Sequence, residues 1–373
     1  QCGMNSRRWI CHSYIRHYNK FSKLISLAYK TYYTRYRLMT TLDRNAMQEA
    51  QERWDSIAHP LHGLGTMEDI IVRIAGITGS ADIDLSKKNI LIFCGDNGIS
   101  ETAVSQSDSS VTAMVADEIA EGRSSVNRMA AVAGASVRCI DVGIKDETHS
   151  KNIINRKITM GTFNFQNGPA MSVDKAKRSL EAGEQELESS EADIVAVGEM
   201  GIADTTCAAI ITASLLGLSA DEVTGRGAGL DDEGFSYKKK VIASSIRTDE
   251  EPLELLARIG GTEIGAMAGA FIGGAKTHKP TVADGAVSLA AALLAERLVP
   301  GTRDFVIASI AGREKMSEAV INELGLKPVI YADLSLGEGT GAAMLFPLLD
   351  ETLAVYGGAH SFEGMKLKPY EKH

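Results

Sequence analysis

Short apolar segments alternate with longer amphipathic segments along the chain after residue 41. Six of the short segments are continuous and rich in Val and Ile, which is typical of strands buried on both faces of a parallel sheet. These predicted strands are residues 89–94, 136–142, 193–197, 281–283, 305–309 and 328–332. The spacing of apolar residues predicts helices at 43–57, 66–77, 111–121, 173–188, 206–216, 253–259 and 286–298. The longest apolar segment, 264–275, is rich in Gly and predicts a packed helix. The pattern therefore predicts an α/β fold, a six-stranded parallel sheet flanked by helices.

Glycines and carboxylates follow several of the predicted strands. The segments concerned are 95–98, 198–201, 284–285 and 336–341. Ligands of open α/β sheets bind beyond the carboxyl ends of the strands, so this edge is the predicted site. It collects two glutamates, two aspartates and several helix starts.

Glu338 lies at the centre of a loop, 337–341, with three glycines in five residues. Glycines let the backbone approach a ligand closely, and the helix that follows presents free N–H groups to a phosphate or carboxylate. A desolvated Glu338 would have a raised pKa and could act as a general base. The alternative, a glycine-rich turn with a solvated glutamate, fits the spacing equally well.

Glu199 stands in a similar glycine turn, 198–201, after a buried strand. Thr205 and Thr206 follow at a predicted helix start, where they either bind a phosphate or cap the helix, and capping is the commoner role. Residues 225–234 combine glycines with acids, but no strand precedes them. A dinucleotide fingerprint and a magnesium-dependent phosphoribosyl pyrophosphate site are therefore disfavoured. The sequence also lacks P-loop and Gly-x-Ser-x-Gly motifs.

The charge distribution separates the first forty residues from the rest. Residues 1–40 carry eight basic residues and no acid, whereas all 48 acidic residues lie in 41–373. The basic segment is either a targeting leader or an extension ahead of a natural start at Met39, and we favour the extension. The acidic remainder argues against nucleic acid as a partner. The sequence has no apolar run long enough to predict a membrane span.

The composition is that of a soluble globular protein, with 44% hydrophobic and 23% charged residues. None of the five cysteines forms a CxxC pair, and Cys94, Cys139 and Cys207 fall in apolar segments. Buried free thiols indicate a reducing compartment, and we expect a cytoplasmic protein. The eight histidines lack metal-ligand spacing, so no metal site is predicted.

Several motifs, in order from about residue 42 to about residue 356, resemble the nicotinate-nucleotide–dimethylbenzimidazole phosphoribosyltransferase family. They are residues 72–77, 161–165, 168–171, 198–202, 225–234 and 336–343. The resemblance implies a Rossmann-like sheet, a small helical domain from the N- and C-terminal segments, and a homodimer. On that basis, residues 1–40 lie outside the fold. Residues 41–88 and 346–373 would form the small domain, and 89–345 the catalytic domain.

The resemblance also implies a reaction. A base displaces nicotinate from C1′ of nicotinate mononucleotide with inversion, and the resulting α-ribotide serves cobalamin nucleotide-loop assembly. Glu338 matches the general base of the family, and Glu199 matches its second active-site carboxylate. The leaving nicotinate is a pyridinium that departs without an acid, and no pyrophosphate leaves. No magnesium or other cofactor is therefore expected.

Two groups of binding residues follow from the same resemblance. The phosphate and ribose are expected at Gly201, Ile202, Ala203, Asp204, Thr205, Gly225, Arg226, Gly227, Lys238, Gly339 and Thr340. The attacking base is expected at Asp96, Ser105, Ser109, Met200, Asp284 and Leu336. Asp284 and Lys238 have ordinary structural interpretations as well. Asp284 precedes a glycine, and an Asp in that position often accepts hydrogen bonds from nearby backbone. Lys238 belongs to a run of three lysines, which usually marks an exposed helix face.

Several positions depart from the family pattern. Asn97 stands in place of a His, Asp108-Ser109 in place of Pro-Gln, and Asp204 in place of an Asn. We expect the chemistry to be retained, with the acceptor open between dimethylbenzimidazole, another benzimidazole, a purine and a phenol. One alternative is a non-catalytic nucleotide- or base-binding relative, which Asn97 and Asp204 motivate. The other is an unrelated NAD-dependent enzyme, which the glycine placement disfavours.

Overall fold

The computed structural model describes residues 41–370, so the basic segment 1–40 lies outside the described residues. A parallel sheet has six strands in the order β3-β2-β1-β4-β5-β6. They are β1 (Lys88–Gly95), β2 (Ala135–Gly143), β3 (Ile154–Asn155), β4 (Ile194–Met200), β5 (Thr281–Ala283) and β6 (Val306–Ala308). This is the strand order of a Rossmann-type sheet, and the predicted α/β architecture is confirmed.

Helices surround this sheet, and each predicted helix is present with ends within two residues of the prediction. The helices are α1 (Arg44–Ser56), α2 (Thr66–Thr78), α3 (Ser110–Ala120), α4 (Ser125–Val132), α5 (Val173–Glu188), α6 (Asp204–Leu216), α7 (Ala220–Val223), α8 (Asp232–Ser245), α9 (Pro252–Ile259), α10 (Thr262–Thr277), α11 (Ala286–Leu298), α12 (Met316–Leu324), α13 (Thr340–Gly358) and α14 (Phe362–Met365). None of the helices within 41–370 is long and apolar enough to cross a membrane.

Five of the six predicted strands are confirmed, and the sixth is wrong. Residues 328–332 make a single parallel bridge, Ile330 with Ile310, instead of a strand. Pro328 lacks a backbone N–H and Tyr331 is 76% exposed, so pairing does not extend from this bridge. The sheet still has six strands because the structure contains one that was not predicted. This strand is β3, which pairs with Ile140 and Asp141 of β2 at the opposite edge of the sheet. Its two residues are too few to produce a hydrophobic pattern.

The predicted packed helix is α10, and its glycines explain its close fit against α5. A Cβ on Gly269 would lie 1.9 Å from the carbonyl oxygen of Leu180. A Cβ on Gly183 would lie 1.7 Å from the carbonyl oxygen of Ala266. Both distances are impossible for a real Cβ, so the two backbones approach each other only because these positions are glycine.

Helices from the beginning and the end of the described residues pack together. The ring of Trp54 in α1 lies 5.0 Å from that of Tyr356 in α13, and the Arg53 guanidinium stacks on Tyr356. Ile57 pairs with Ser361 in an antiparallel bridge. The helix α13 is continuous across the predicted domain boundary at residue 345. It therefore connects this helical cluster directly to the loop that contains Glu338.

The chain order places a cleft between the carboxyl ends of β1 and β4. From β1 the chain moves outward to β2 and β3 and then returns to β4, which pairs with β1 on its other side. Cys94 near the end of β1 is opposite Met200 at the end of β4. Such a reversal of strand order is where open α/β sheets bind ligands. Cys94, Cys139 and Cys207 are free and buried, as predicted.

Candidate active site

Glu338 has a left-handed backbone between two left-handed glycines. The φ angles are 77° at Gly337, 57° at Glu338 and 81° at Gly339. A non-glycine residue in this region is strained, and such strain persists only where the surroundings enforce it. The loop packs directly on the sheet, since a Cβ on Gly198 would lie 2.6 Å from the nitrogen of Gly339.

Asp284, which follows β5, fixes this loop through hydrogen bonds to its backbone. Its Oδ2 accepts the N–H of Gly339 and its Oδ1 accepts the N–H of Ala342, each at 3.0 Å. Asp284 is 2% exposed. It was expected in the base pocket, but both carboxylate oxygens accept from the backbone of the Glu338 loop and the start of α13. This is the backbone-acceptor role that an Asp-Gly sequence also allows.

Burial raises the pKa of Glu338, and the negative charge of Asp284 raises it further. The side chain is half-buried, so it is desolvated on one side and reachable on the other. A carboxylate with a raised pKa binds a proton more readily than a solvated one. A raised pKa and partial burial are properties that the predicted general-base role requires, so that role stays a prediction for Glu338.

Glu199 and Asp204 form a second carboxylate group beside the loop. Glu199 is the penultimate residue of β4, and its Oε1 would lie 2.8 Å from a Cβ on Gly337. Burial raises the pKa of Glu199 well above its usual range, and the neighbouring Asp204 carboxylate adds to the shift. Burial also raises the pKa of Asp204. The two groups share a hydrogen bond, which adds to the rise in the pKa of Glu199 and opposes the rise in the pKa of Asp204.

Thr205, Gly227 and Lys238 lie close together where α6 begins, and we call this group the anion cradle. Ala203, just ahead of the helix, has a φ of 71°, and Asp204 Oδ1 accepts the N–H of Thr205 at 2.5 Å. Lys238 is 1% exposed and donates to Thr205 Oγ1 at 2.9 Å. Burial lowers the pKa of Lys238, and the charges of Glu314 and Asp204 oppose that shift. Buried against Thr205, Lys238 departs from the exposed position that is usual in a lysine run.

The glycine loop 225–229 borders the same cradle. A Cβ on Gly227 would lie 3.2 Å from Thr205 Oγ1 and 3.4 Å from Lys238 Nζ. Arg226, expected at the phosphate, instead donates to the carbonyl oxygen of Leu230 and to Asp232, at 2.8 and 2.6 Å. Its guanidinium is thus committed to its own loop.

The predicted base-binding residues occupy the carboxyl end of β1 and the cleft edge. Asp96 is 2% exposed and its Oδ2 accepts the N–H of Lys145 at 2.7 Å, so one of its oxygens serves the backbone. Ser105 and Ser109 lie half-buried in the loop before α3. Met200 is half-buried at the end of β4, and Leu336 is 53% exposed ahead of the Glu338 loop.

Two carboxylates at the site were missed by the sequence analysis. Glu263 is fully buried at the start of α10, and its Oε1 accepts from Asn97 Nδ2 at 2.9 Å. Burial raises the pKa of Glu263 to about 8. An acid at the head of a long apolar helix was an available signal. Glu314 contacts the 225–229 loop, but no sequence signal marked it, because its sequence neighbours are typical of a solvated loop.

A sequence model of the family described as "Phosphoribosyltransferase" matches residues 39–366. The chain belongs to this family. The nicotinate-nucleotide–dimethylbenzimidazole phosphoribosyltransferase of Clostridium acetobutylicum is 36% identical over 337 residues, 88% of this chain and 96% of that protein. The protein of the same name from Desulforudis audaxviator is 38% identical over 330 residues, 86% of this chain and 94% of that protein.

A solved structure gives the same result. The crystal structure of CobT from Thermus thermophilus superimposes with a TM-score of 0.83 at 33% identity, covering 87% of this chain and all of that one. Both the sequence and the architecture are therefore those of the phosphoribosyltransferase family. Among residues 41–370, no three His, Cys, Asp or Glu side chains are grouped so that they could hold a metal ion.

Proposed function

We propose that the protein transfers the phosphoribosyl group of nicotinate mononucleotide to dimethylbenzimidazole or a related base, giving an α-ribotide and nicotinate. The relatives that span most of this chain carry that activity in their names. The observation in the structure that carries the proposal is Glu338, a strained and half-buried carboxylate at the reversal point of the sheet. The product serves the nucleotide loop of cobalamin.

The reaction needs one proton acceptor. The acceptor nitrogen forms a bond to C1′ as the bond from C1′ to the pyridinium nitrogen breaks, and that electron pair returns to the nicotinate ring. The ring N–H proton of the attacking azole passes to Glu338. Burial and the charge of Asp284 raise the pKa of Glu338, so its carboxylate takes up this proton more readily than a solvated carboxylate would. Nicotinate leaves as a neutral pyridine ring and needs no acid.

The anion cradle is the proposed site of the nucleotide phosphate. Lys238 supplies a positive charge, and Thr205 and Gly227 lie within reach of the same position. Charge-assisted hydrogen bonds from an ammonium to a phosphate are among the stronger polar contacts. Glu199 lies between this cradle and Glu338, so it would face the ribose.

The acceptor side fits an aromatic base bounded by Met200 and Leu336, with the hydroxyl of Ser109 where the family has a long amide. A benzimidazole, a purine and a phenol remain candidates. We further propose that α1, α2 and the later part of α13 are the small helical domain, and that the protein is a cytoplasmic homodimer. These assignments rest on the family resemblance and on the buried free thiols.

The direct test incubates the protein with nicotinate mononucleotide and each candidate acceptor and identifies products by mass spectrometry. An α-ribotide from at least one acceptor is expected. A matched control is Glu351→Gln, which neutralises an exposed glutamate on α13 and should leave product formation intact. Binding of the nucleotide without product from any acceptor would instead favour a non-catalytic relative.

A further inference from the structure

Glu314, between β6 and α12, reaches into the glycine loop 225–229. Its Oε1 accepts the N–H of Gly227 at 2.9 Å. A Cβ on Gly225 would lie 1.8 Å from its Oε2, so the carboxylate occupies space that any other residue at 225 would fill. The contact therefore joins two segments that are far apart in sequence, and glycine at 225 makes it possible.

The Glu314 carboxylate shares its surroundings with the cation of the cradle. Gly227, which it contacts, lies beside Lys238 Nζ and Thr205 Oγ1. The negative charge of Glu314 favours the protonated form of Lys238. Backbone N–H, buried ammonium and hydroxyl are donors that a phosphate uses. Here the Gly227 N–H is bonded to the Glu314 carboxylate, and the Lys238 ammonium and the Thr205 hydroxyl lie next to Gly227.

We propose that Glu314 is an internal anion that fills the phosphate cradle when no phosphate is bound and that a bound phosphate displaces it. This inference rests on the proposed function, because it takes the cradle to be the nucleotide-phosphate site. A phosphate has more charge and more acceptor oxygens than a carboxylate, so it competes successfully for the same donors. Glu314 is only half-buried and can turn toward solvent, whereas Lys238 is enclosed.

Glu314 thereby acts as a specificity residue. A ligand without a phosphate gains nothing from the cradle, since it cannot replace the Glu314 carboxylate there. A phosphorylated ligand binds by exchange, and part of its affinity is spent on displacing the internal anion. Removing the charge of Glu314 should thus strengthen binding of phosphorylated ligands alone.

Calorimetric titration tests this with inorganic phosphate, nicotinate mononucleotide and nicotinate riboside as probes. The proteins compared are wild type, Glu314→Gln, Glu314→Ala and the control Glu318→Gln, an exposed glutamate in the first turn of α12. Thermal melting confirms that each variant is folded. Both Glu314 variants should bind phosphate and the mononucleotide at least about fivefold more tightly, because a like charge is removed. Riboside affinity and the control should not change.

Unchanged or weaker phosphate binding in both Glu314 variants would overturn the inference, as would an equal gain for the riboside. A Lys238→Met variant separates this failure from that of the proposed function. If Lys238→Met weakens mononucleotide binding while the Glu314 variants change nothing, the cradle is the phosphate site and Glu314 is not its internal anion. If wild type binds neither phosphate nor mononucleotide, the proposed function fails and the inference falls with it.

Discussion

The carboxylate of Asp284 accepts the backbone N–H of Gly339, the residue that follows Glu338. Its second oxygen accepts from Ala342 in the first turn of α13. One buried side chain therefore fixes both the end of the Glu338 loop and the start of the helix that follows. Its charge also lies close enough to raise the pKa of Glu338.

Asp284→Asn is expected to lower kcat about 10- to 100-fold, with a smaller effect on KM, because an amide nitrogen cannot accept one of the two backbone N–H groups and the loop moves. The loss of charge should also lower the pKa of Glu338. The acid limb of the pH–rate profile, where Glu338 becomes protonated, should then move to lower pH. Steady-state kinetics across pH measure both effects. A reduced kcat with an unmoved acid limb would mean that Asp284 acts on position alone.

The left-handed backbone at Glu338 predicts that two inactive variants of this residue differ in stability. Glu338→Gly and Glu338→Ala both remove the carboxylate, but only glycine is relaxed at a φ of 57°. The glycine variant should therefore be more stable than the alanine variant by about 1 kcal/mol. Urea unfolding compares the two, and both should be inactive. Equal stabilities would show that the loop is not strained.

Glu263 predicts a pH-dependent contribution to stability. Burial raises its folded-state pKa to about 8 from an ordinary value of 4.5. The folded chain thus holds a proton that the unfolded chain releases between these values. Its contribution to the unfolding free energy therefore falls as pH rises through this window. Glu263→Gln keeps an acceptor for Asn97 and removes the titration.

The Glu263→Gln variant should match wild type near pH 5 and exceed it at pH 8 by about 1 kcal/mol or more. Denaturant unfolding at a series of pH values measures the difference. Other carboxylates contribute equally to both proteins, so the comparison isolates Glu263. A constant difference across the window would contradict the raised pKa.

The contact between α10 and α5 predicts unequal effects of two similar substitutions. Gly269→Ala places a Cβ 1.9 Å from the Leu180 carbonyl oxygen and should cost about 2–3 kcal/mol. At Gly273 the nearest atoms lie 3.3 Å away, so Gly273→Ala should stay within about 1 kcal/mol of wild type, helped by the helix propensity of alanine. Similar losses at both positions would indicate that the helices separate instead of packing rigidly.

Regular elements with a clear hydrophobic pattern were predictable from the sequence. Continuous apolar segments gave β1 and β4, and the position of glycines after them located the cleft. The strand prediction for 328–332 was wrong because this segment has the composition of a strand, whereas Pro328 and the exposed Tyr331 limit its pairing to a single bridge. The strand β3 was missed because two residues contain no periodicity.

The site was predictable where local sequence fixes the backbone, and unpredictable where distant segments meet. The glycines around Glu338 indicated an unusual turn. Lys238 belongs to a lysine run, and only the tertiary fold shows that it is buried beside Thr205. The contact of Glu314 with Gly227 joins residues 87 positions apart, and no local pattern marks it.

The rate of α-ribotide formation in Glu338→Gln tests the central claim most directly. Nicotinate mononucleotide affinity is measured on the same preparation, with dimethylbenzimidazole or the preferred acceptor as the second substrate. If Glu338 accepts the proton, the variant should bind the nucleotide as wild type does and form product about 10²- to 10⁴-fold more slowly. Turnover close to the wild-type rate in a folded, nucleotide-binding variant would contradict the account.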